Sequence, residues 1–313
     1  MRAHLIANPH AGADRALEYI PLITEKLRTV VRDLDITVAA NAEEARQAAA
    51  RAVEDHCEAL YVAGGDGTLN SALQGVASTG AAQLPIGLIP LGTGNDFAKA
   101  LGLGEEPMTA LDLLIGMQVL EVDLGTLNDR PFANTSAGGF IAEVSKSVTE
   151  TLKNTTGKLA YLVGGAKALL GTEPFCARIV VHDRQPAPAP PAPLDVQLFA
   201  VCNARFIGGG YPIAPDACID DGLLDVVVVP GMPFVDFVAA LKRLSSGDYG
   251  GDGAILHFRA AAFDLEFDRT VGVNTDGEVL EARRCEYRVR RRAARFFCGP
   301  KPQAVGTPAR WRG

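Results

Sequence analysis

The sequence predicts an α/β protein with two parts: a mostly parallel sheet flanked by helices, then an antiparallel β domain with inserted helices. Three observations carry this. Over residues 1–125, short apolar runs alternate with amphipathic stretches, the signature of parallel strands joined by helices. From Val119 onward strand-like runs follow one another closely, as antiparallel strands do. Finally, two glycine-rich turns each follow an apolar run of strand length, and open α/β sheets bind ligands at such strand ends.

Taken in order, residues 3–7 form the first strand, closed by the turn signal Asn8-Pro9. Leu17, Ile20, Ile23 and Leu27 recur at helical spacing and predict an amphipathic helix. Residues 36–39 read as a second strand and 42–53, rich in alanine and glutamate, as a second helix. The third strand, 60–63, runs into the first glycine turn; a helix begins near Thr68 and continues through 72–77. Residues 86–89 are the fourth strand. Beyond it, strands are expected at 119–124, 132–136, 179–182, 196–201, 224–229 and 263–267, with helices at 141–153, 159–170 and 233–244. Proline and alanine dominate 185–193, a stiff exposed connection. The last strand, 286–291, places Tyr287 and Val289 on one side, and no internal repeat is evident.

Composition narrows the class. A chain of 313 residues can bury a large core and favours two domains, and 48% hydrophobic with 21% charged residues is ordinary for a globular protein. The six cysteines are scattered and form no Cys-x-x-Cys pair, which argues against a disulfide framework or a zinc site and for a reducing compartment. No signal segment and no membrane-length apolar run are present, so a cytoplasmic protein is expected. Nothing points to nucleic acid. From 283 to 313, nine arginines and one lysine face a single acid, Glu286, in a chain whose net charge is −7. Such a basic stretch suits anionic lipid headgroups, or is simply a solvated edge and tail.

The chemistry concentrates in Gly64-Gly65-Asp66-Gly67-Thr68-Leu69-Asn70. Glycines let backbone and ligand approach closely, and a helix starting there adds N–H donors and a positive dipole end, which suits phosphate. Asp66 would repel phosphates unless a cation intervenes, so the stretch reads as a metal–nucleotide site; the alternative is a structural turn with a surface aspartate. A second turn, Gly92-Thr93-Gly94-Asn95-Asp96-Phe97, is of the same kind. Asp96 either serves the site or caps the following helix. Thr68 and Thr93 offer hydroxyls to phosphate or ribose, or cap helices. Asn8 ends the first strand at the same edge, or is a turn former. Asp123 is a lone acid in an apolar strand and needs a partner if buried. Asn274-Thr275-Asp276-Gly277-Glu278 carries the Asp-Gly signal of a hairpin.

Together, Asn8-Pro9 with Gly12, Gly64 to Asn70, Gly92 to Ala98 and Asn274 to Glu278 resemble the diacylglycerol-kinase catalytic-domain family, specifically its soluble bacterial lipid-kinase branch. The first glycine motif alone is shared with NAD kinases and phosphofructokinases. The resemblance covers nearly the whole chain. It implies a Rossmann-like, NAD kinase/phosphofructokinase-like sheet at 1–125, a β-sandwich lipid-substrate domain at 126–284, and a segment 285–313 returning to the first domain. It also implies ATP and Mg²⁺ as cofactors. Asn8, Gly64, Gly65, Asp66, Gly67, Thr68, Leu69, Asn70, Gly92, Thr93, Asn95 and Asp96 would then bind the nucleotide. Glu278 would be the general base, Asp66 the metal-positioning acid, and Asp276 would support Glu278 or face the metal.

By the same resemblance a second, structural metal would take the Asp221 carboxylate and the backbone carbonyls of Cys218 and Leu223. Asp123 would join a water network at the catalytic metal, and Gly208-Gly209-Gly210 would lie near bound lipid. The lipid, of the diacylglycerol or phosphatidylglycerol class, would be met at the membrane surface by a peripheral and transiently associated enzyme; a homodimer is one allowed state. One departure stands out: Val38-Ala39-Ala40-Asn41 occupies the place of a nucleotide-contacting threonine. The alternatives to a lipid kinase are an NAD-kinase-type enzyme of small metabolites and a non-catalytic nucleotide-binding regulator.

Overall fold

The structure, a computed structural model, describes residues 1–12, 15–80, 84–116, 118–139, 174–183, 193–249 and 253–303. The helices expected at 141–153 and 159–170, and nearly all of the 185–193 connection, lie outside the described residues. The chain divides into two compact units. One comprises Met1–Leu124, Ile219–Asp221 and Arg290–Gly313; the other comprises Gly125–Cys218 and Gly222–Val289.

In the first unit β1 (Arg2–Ala7), β2 (Asp33–Val38), β3 (Ala59–Gly64) and β4 (Pro85–Pro90) pair in parallel, in the order β4-β3-β1-β2. β3 is buried along its whole length, whereas edge strand β2 leaves Val38 55% exposed. This order makes a topological switch: the chain leaves β1 towards β2 but leaves β3 in the opposite direction, towards β4. Beyond the carboxyl ends of β1 and β3, diverging connections leave a crevice.

Helices fill the connections. In α1 (Arg15–Arg28) the buried side chains are Ala16, Ile23 and Leu27, while Leu17 is 62% exposed, so the apolar face is rotated from the expected one. α2 (Ala42–Glu54) starts with a reciprocal cap: Asn41 accepts from the Glu44 N–H at 2.9 Å, and Glu44 accepts from the Ala40 N–H at 2.8 Å. Asn41 thus has a local job, capping α2. α3 (Asp66–Ser78) lies close against α2 because Ala45, Ala48, Ala49 and Ala52 are small and buried. Gly75 sits at this contact, where an added Cβ would come 2.2 Å from the Arg46 carbonyl oxygen.

Short α4 (Asp96–Ala100) follows β4, and α5 (Pro107–Ile115) is capped by Glu106, whose carboxylate accepts from the Met108 and Thr109 N–H groups. The end of the long last strand, β15 (Glu278–Phe297), pairs in parallel with β4 through Arg295 and Phe296. There Phe296 meets Phe97 edge-on at 5.1 Å, and Phe297 stacks on Tyr61 at 6.0 Å.

The second unit is antiparallel. Its strands, beyond β5 (Val119–Leu127), are β6 (Arg130–Phe132), β7 (Thr135–Gly139), β8 (Phe175–Val181), β9 (Leu194–Cys202), the pair β10 (Phe206–Ile207) and β11 (Tyr211–Pro212), β12 (Leu224–Pro230), β13 (Leu256–Ala260) and β14 (Ala262–Thr275). The order β13-β12-β9-β7-β14 continues into the start of β15, with β8 pairing both β9 and β14. A register shift between Glu266 and Val271 divides β14, whose first half pairs with β8 and second half with β7. Alternation along β9 sends Phe199 and Val201 into one core with Phe263, Phe267 and Tyr287. Leu198, Ala200 and Cys202 enter another under α6 (Phe234–Leu244), with Phe237 and Leu241. The expected fold class, a Rossmann-like parallel sheet plus an antiparallel β-sandwich, is the one observed.

Candidate active site

Three turns meet at the carboxyl edge of the first unit's sheet. Gly12, at φ +65°, has room for hydrogen only: a Cβ would sit 2.1 Å from the Leu91 carbonyl oxygen. Gly65 and Gly92 pack backbone on backbone, since a Cβ on Gly92 would lie 2.6 Å from the Gly65 Cα. These glycines are explained by the protein's own packing. Gly67 is not: it is exposed, and a Cβ there would meet nothing within 4 Å. It occupies the first turn of α3, whose N-cap Gly65 supplies no side-chain hydrogen bond. An uncapped helix start with open space over a glycine is a place an anion can approach.

α3 begins at Asp66, two residues before the expected start near Thr68, so Asp66 and Gly67 are helical. Thr68 is buried, and its Oγ1 accepts from the Asn8 amide at 3.0 Å, tying the end of β1 to α3. The Asn8 Oδ1 accepts from the His10 N–H at 2.9 Å, so Asn8 shapes the edge rather than offering a bare side chain. Leu69 and Asn70 are buried along α3, whereas Thr93 is exposed on the second turn.

The Asp66 carboxylate accepts from the Asp96 and Phe97 N–H groups, each at 3.1 Å. It therefore caps α4 from thirty residues away. Asp96, for which capping was the alternative to a role in the site, is the first residue of α4, because Asn95 adopts φ +51° ahead of it and turns its amide to the Gly92 carbonyl at 2.7 Å. Burial, and next the Asp96 charge, push the Asp66 carboxyl up to about 6; the two N–H bonds and Lys99 pull the other way. Lys99, overlooked in the sequence, holds the Gly94 carbonyl at 2.8 Å and Asp96 at 3.4 Å. Its i,i+3 spacing from Asp96 was the available signal. Asp123 is buried and accepts from the Arg292 N–H at 2.7 Å, anchoring β15 where Arg292 has φ +50°.

In the second unit Asp276 and Gly277 both have positive φ, +46° and +93°, and join Thr275 to Glu278 as a two-residue hairpin turn. Asp276 is buried, and its carboxylate accepts from the N–H groups of Ala133 (2.7 Å), Thr135 (2.8 Å) and Asn134 (3.2 Å). That makes it a backbone clamp, at a position expected either to support Glu278 or to face the metal. Beside it Thr275, Ser136 and Tyr287 form a buried hydroxyl chain at 2.8 and 2.9 Å. Glu278, partly buried, opens β15. Cys218, Asp221 and Leu223 lie partly buried on the turn before β12, where Gly222 has φ +78°. Gly208, Gly209 and Gly210 all have positive φ between β10 and β11.

Two family models match the chain in succession. The diacylglycerol kinase catalytic domain matches residues 2–127, and the YegS C-terminal NAD kinase beta sandwich-like domain matches 135–298. A probable YegS-like lipid kinase of Pseudomonas putida is 33% identical over 277 residues, spanning 86% of this chain and 88% of its own.

The chain belongs to the diacylglycerol kinase family.

A diacylglycerol kinase of Staphylococcus carnosus is 30% identical over 277 residues, 88% of each chain. A Bacillus anthracis crystal structure ascribed to a diacylglycerol kinase superposes with TM-score 0.81 at 25% identity, covering 96% of this chain and 95% of that one. This chain is thus an enzyme, a kinase, and among its described residues no helix is long and apolar enough to cross a membrane.

The kinase's own residues fit a divalent cation and a nucleotide. Asp66 and Asp96 set two hard oxygen donors close enough that one raises the other's pKa, with Lys99 as neighbouring cation. Each Asp66 oxygen accepts a single N–H here and keeps a lone pair for a further partner.

Proposed function

We propose that this kinase transfers the γ-phosphate of ATP to a hydroxyl of a lipid of the diacylglycerol or phosphatidylglycerol class, in an Mg²⁺-dependent reaction. The observation that carries the nucleotide half is Gly67: a helix start with no side-chain cap, held by two interlocked glycine turns, beside open space. The α3 N–H groups and those of the Gly92 turn would hold the phosphates, and Thr93 would meet phosphate or ribose. Asp66 and Asp96 would hold Mg²⁺, which when bound supplies neutralisation of the charge on the transferred phosphoryl group. The 218–223 turn would carry a second, structural cation through the Cys218 and Leu223 carbonyls and the Asp221 carboxylate.

The lipid half rests on the family relationship and on the second unit. A lipid hydroxyl is a weak nucleophile, and Glu278 accepts its proton as it attacks the γ-phosphorus in line with the departing β-phosphate oxygen. Asp276 contributes by fixing the hairpin that presents Glu278. Such an enzyme works in the cytoplasm, meeting its substrate at the membrane surface without spanning it.

The test is transfer of label from γ-labelled ATP to a panel of diacylglycerol, phosphatidylglycerol and NAD. Label should enter a lipid, and Glu278→Gln should lower the rate by about 10²–10⁴-fold with the fold intact. Label in NAD alone, or an unaltered rate in Glu278→Gln, contradicts the reading.

A further inference from the structure

At the other end of the first unit's sheet, where the strands begin, His4, Asp35 and Cys57 converge. His4 on β1 is the parallel partner of Asp35 on β2, and Cys57 stands two residues before β3. One ligand atom from each lies within 4.8 Å of the other two. His4 is 6% exposed; its Nε2 lies 2.9 Å from Thr37 Oγ1, while its Nδ1 is buried with no partner. With Nε2–H donated to Thr37, Nδ1 carries a lone pair, the form of imidazole that binds metal, its ring oriented by the partner on the other nitrogen. A buried acceptor left bare is unfavourable, so the pair of observations, cluster and orphaned nitrogen, points to a ligand.

We propose that His4, Asp35 and Cys57 bind one zinc-class divalent ion, with solvent in the fourth position, as a clip joining β1, β2 and the connection between α2 and β3. Nitrogen, oxygen and sulfur donors together are the set for Zn²⁺, which takes four ligands; Mg²⁺ prefers oxygen alone. The site is separate from the glycine turns, which lie roughly 13 Å further along β1 at 3.3 Å per residue. Entry is open on the Asp35 side, where that side chain is 43% exposed. Arg2 now holds Asp35 at 3.0 Å, but Asp33 at 3.8 Å and Asp55 at 3.9 Å give it other carboxylates when Asp35 turns to the metal. Ligation takes the Cys57 thiolate, so binding releases the thiol proton and affinity rises with pH.

The experiment titrates the full, chelator-stripped chain with Zn²⁺, and separately with Co²⁺, whose thiolate charge-transfer absorption reports sulfur ligation. One equivalent should bind and raise the melting temperature to a plateau, in the presence of excess Mg²⁺. Cys57→Ser and Asp35→Asn should each weaken binding more than about a hundredfold, beyond the roughly 10–100-fold that loss of an outer partner costs. Cys176→Ser should titrate like the wild type. Asp35→Asn, at a half-exposed position, decides the matter if Cys57→Ser melts early without metal. Absence of a one-equivalent Zn²⁺ site, wild-type affinity in Asp35→Asn, or competition by Mg²⁺ overturns the proposal.

Discussion

Asp66→Asn should lower kinase turnover on the order of 10³-fold while the protein stays folded, the scale of losing a preorganised electrostatic group. The reason is position. Asp66 caps α4 through the Asp96 and Phe97 N–H groups, and it shares the proposed cation with Asp96. Asparagine keeps one acceptor and the side-chain shape but loses the charge. The same change alters stability with pH in a fixed direction. The folded-state pKa of Asp66, about 6, lies above the ordinary 3.8, because burial and Asp96 disfavour the charge. A raised carboxyl contributes stability that is complete below about pH 4 and is lost as pH rises through 6.

Relative to Asp66→Asn, the metal-free wild type should therefore lose at most about 3 kcal/mol between pH 4 and pH 8, at about 1.4 kcal/mol per unit. Denaturant melts of both proteins at the two pH values read this out. A constant difference would show that Asp66 is not held against its charge.

Asp276→Ala should destabilise the second unit by about 4 kcal/mol or more, a large part of the usual 5–15 kcal/mol of a domain. It strips the acceptor from three N–H groups, those of Ala133, Asn134 and Thr135. Orphaned buried donors cost roughly 1–3 kcal/mol each, and alanine at φ +46° adds about 1 more. Asp276→Asn separates these effects, since asparagine tolerates positive φ and retains one acceptor oxygen. It should cost about half as much. A loss below about 1 kcal/mol in Asp276→Ala, measured by urea denaturation, would mean that the clamp is not what holds the 133–135 turn.

Much of this was legible in the chain. Strand–helix alternation gave the parallel sheet, and glycines after apolar runs located its carboxyl edge, because both signals are local in sequence. Contacts across long separations were not legible. Nothing near Asp66 announces that it caps a helix thirty residues on, nor that Asn95 takes a left-handed conformation and displaces Asp96 from the cap. The turn signal at Asp276-Gly277 was local and legible, but the clamp of Asp276 on residues 133–135 depends on how β7 and β14 pair. Leu17 fitted helical spacing yet faces solvent, since Ala16 and Ile23 set the buried stripe. The pairing of His4 with Asp35 needs the register of β1 on β2, which no spacing in the sequence encodes.

The central claim is that the glycine turns exist to admit phosphates, and Gly67→Ala tests it most directly. A methyl there meets no protein atom within 4 Å, and alanine favours a helix over glycine by about 1 kcal/mol. The variant should melt at or above the wild-type temperature while its affinity for Mg·ATP, measured by calorimetry, falls at least about tenfold, roughly 1.4 kcal/mol. Wild-type affinity for Mg·ATP in a stable Gly67→Ala protein would contradict the account.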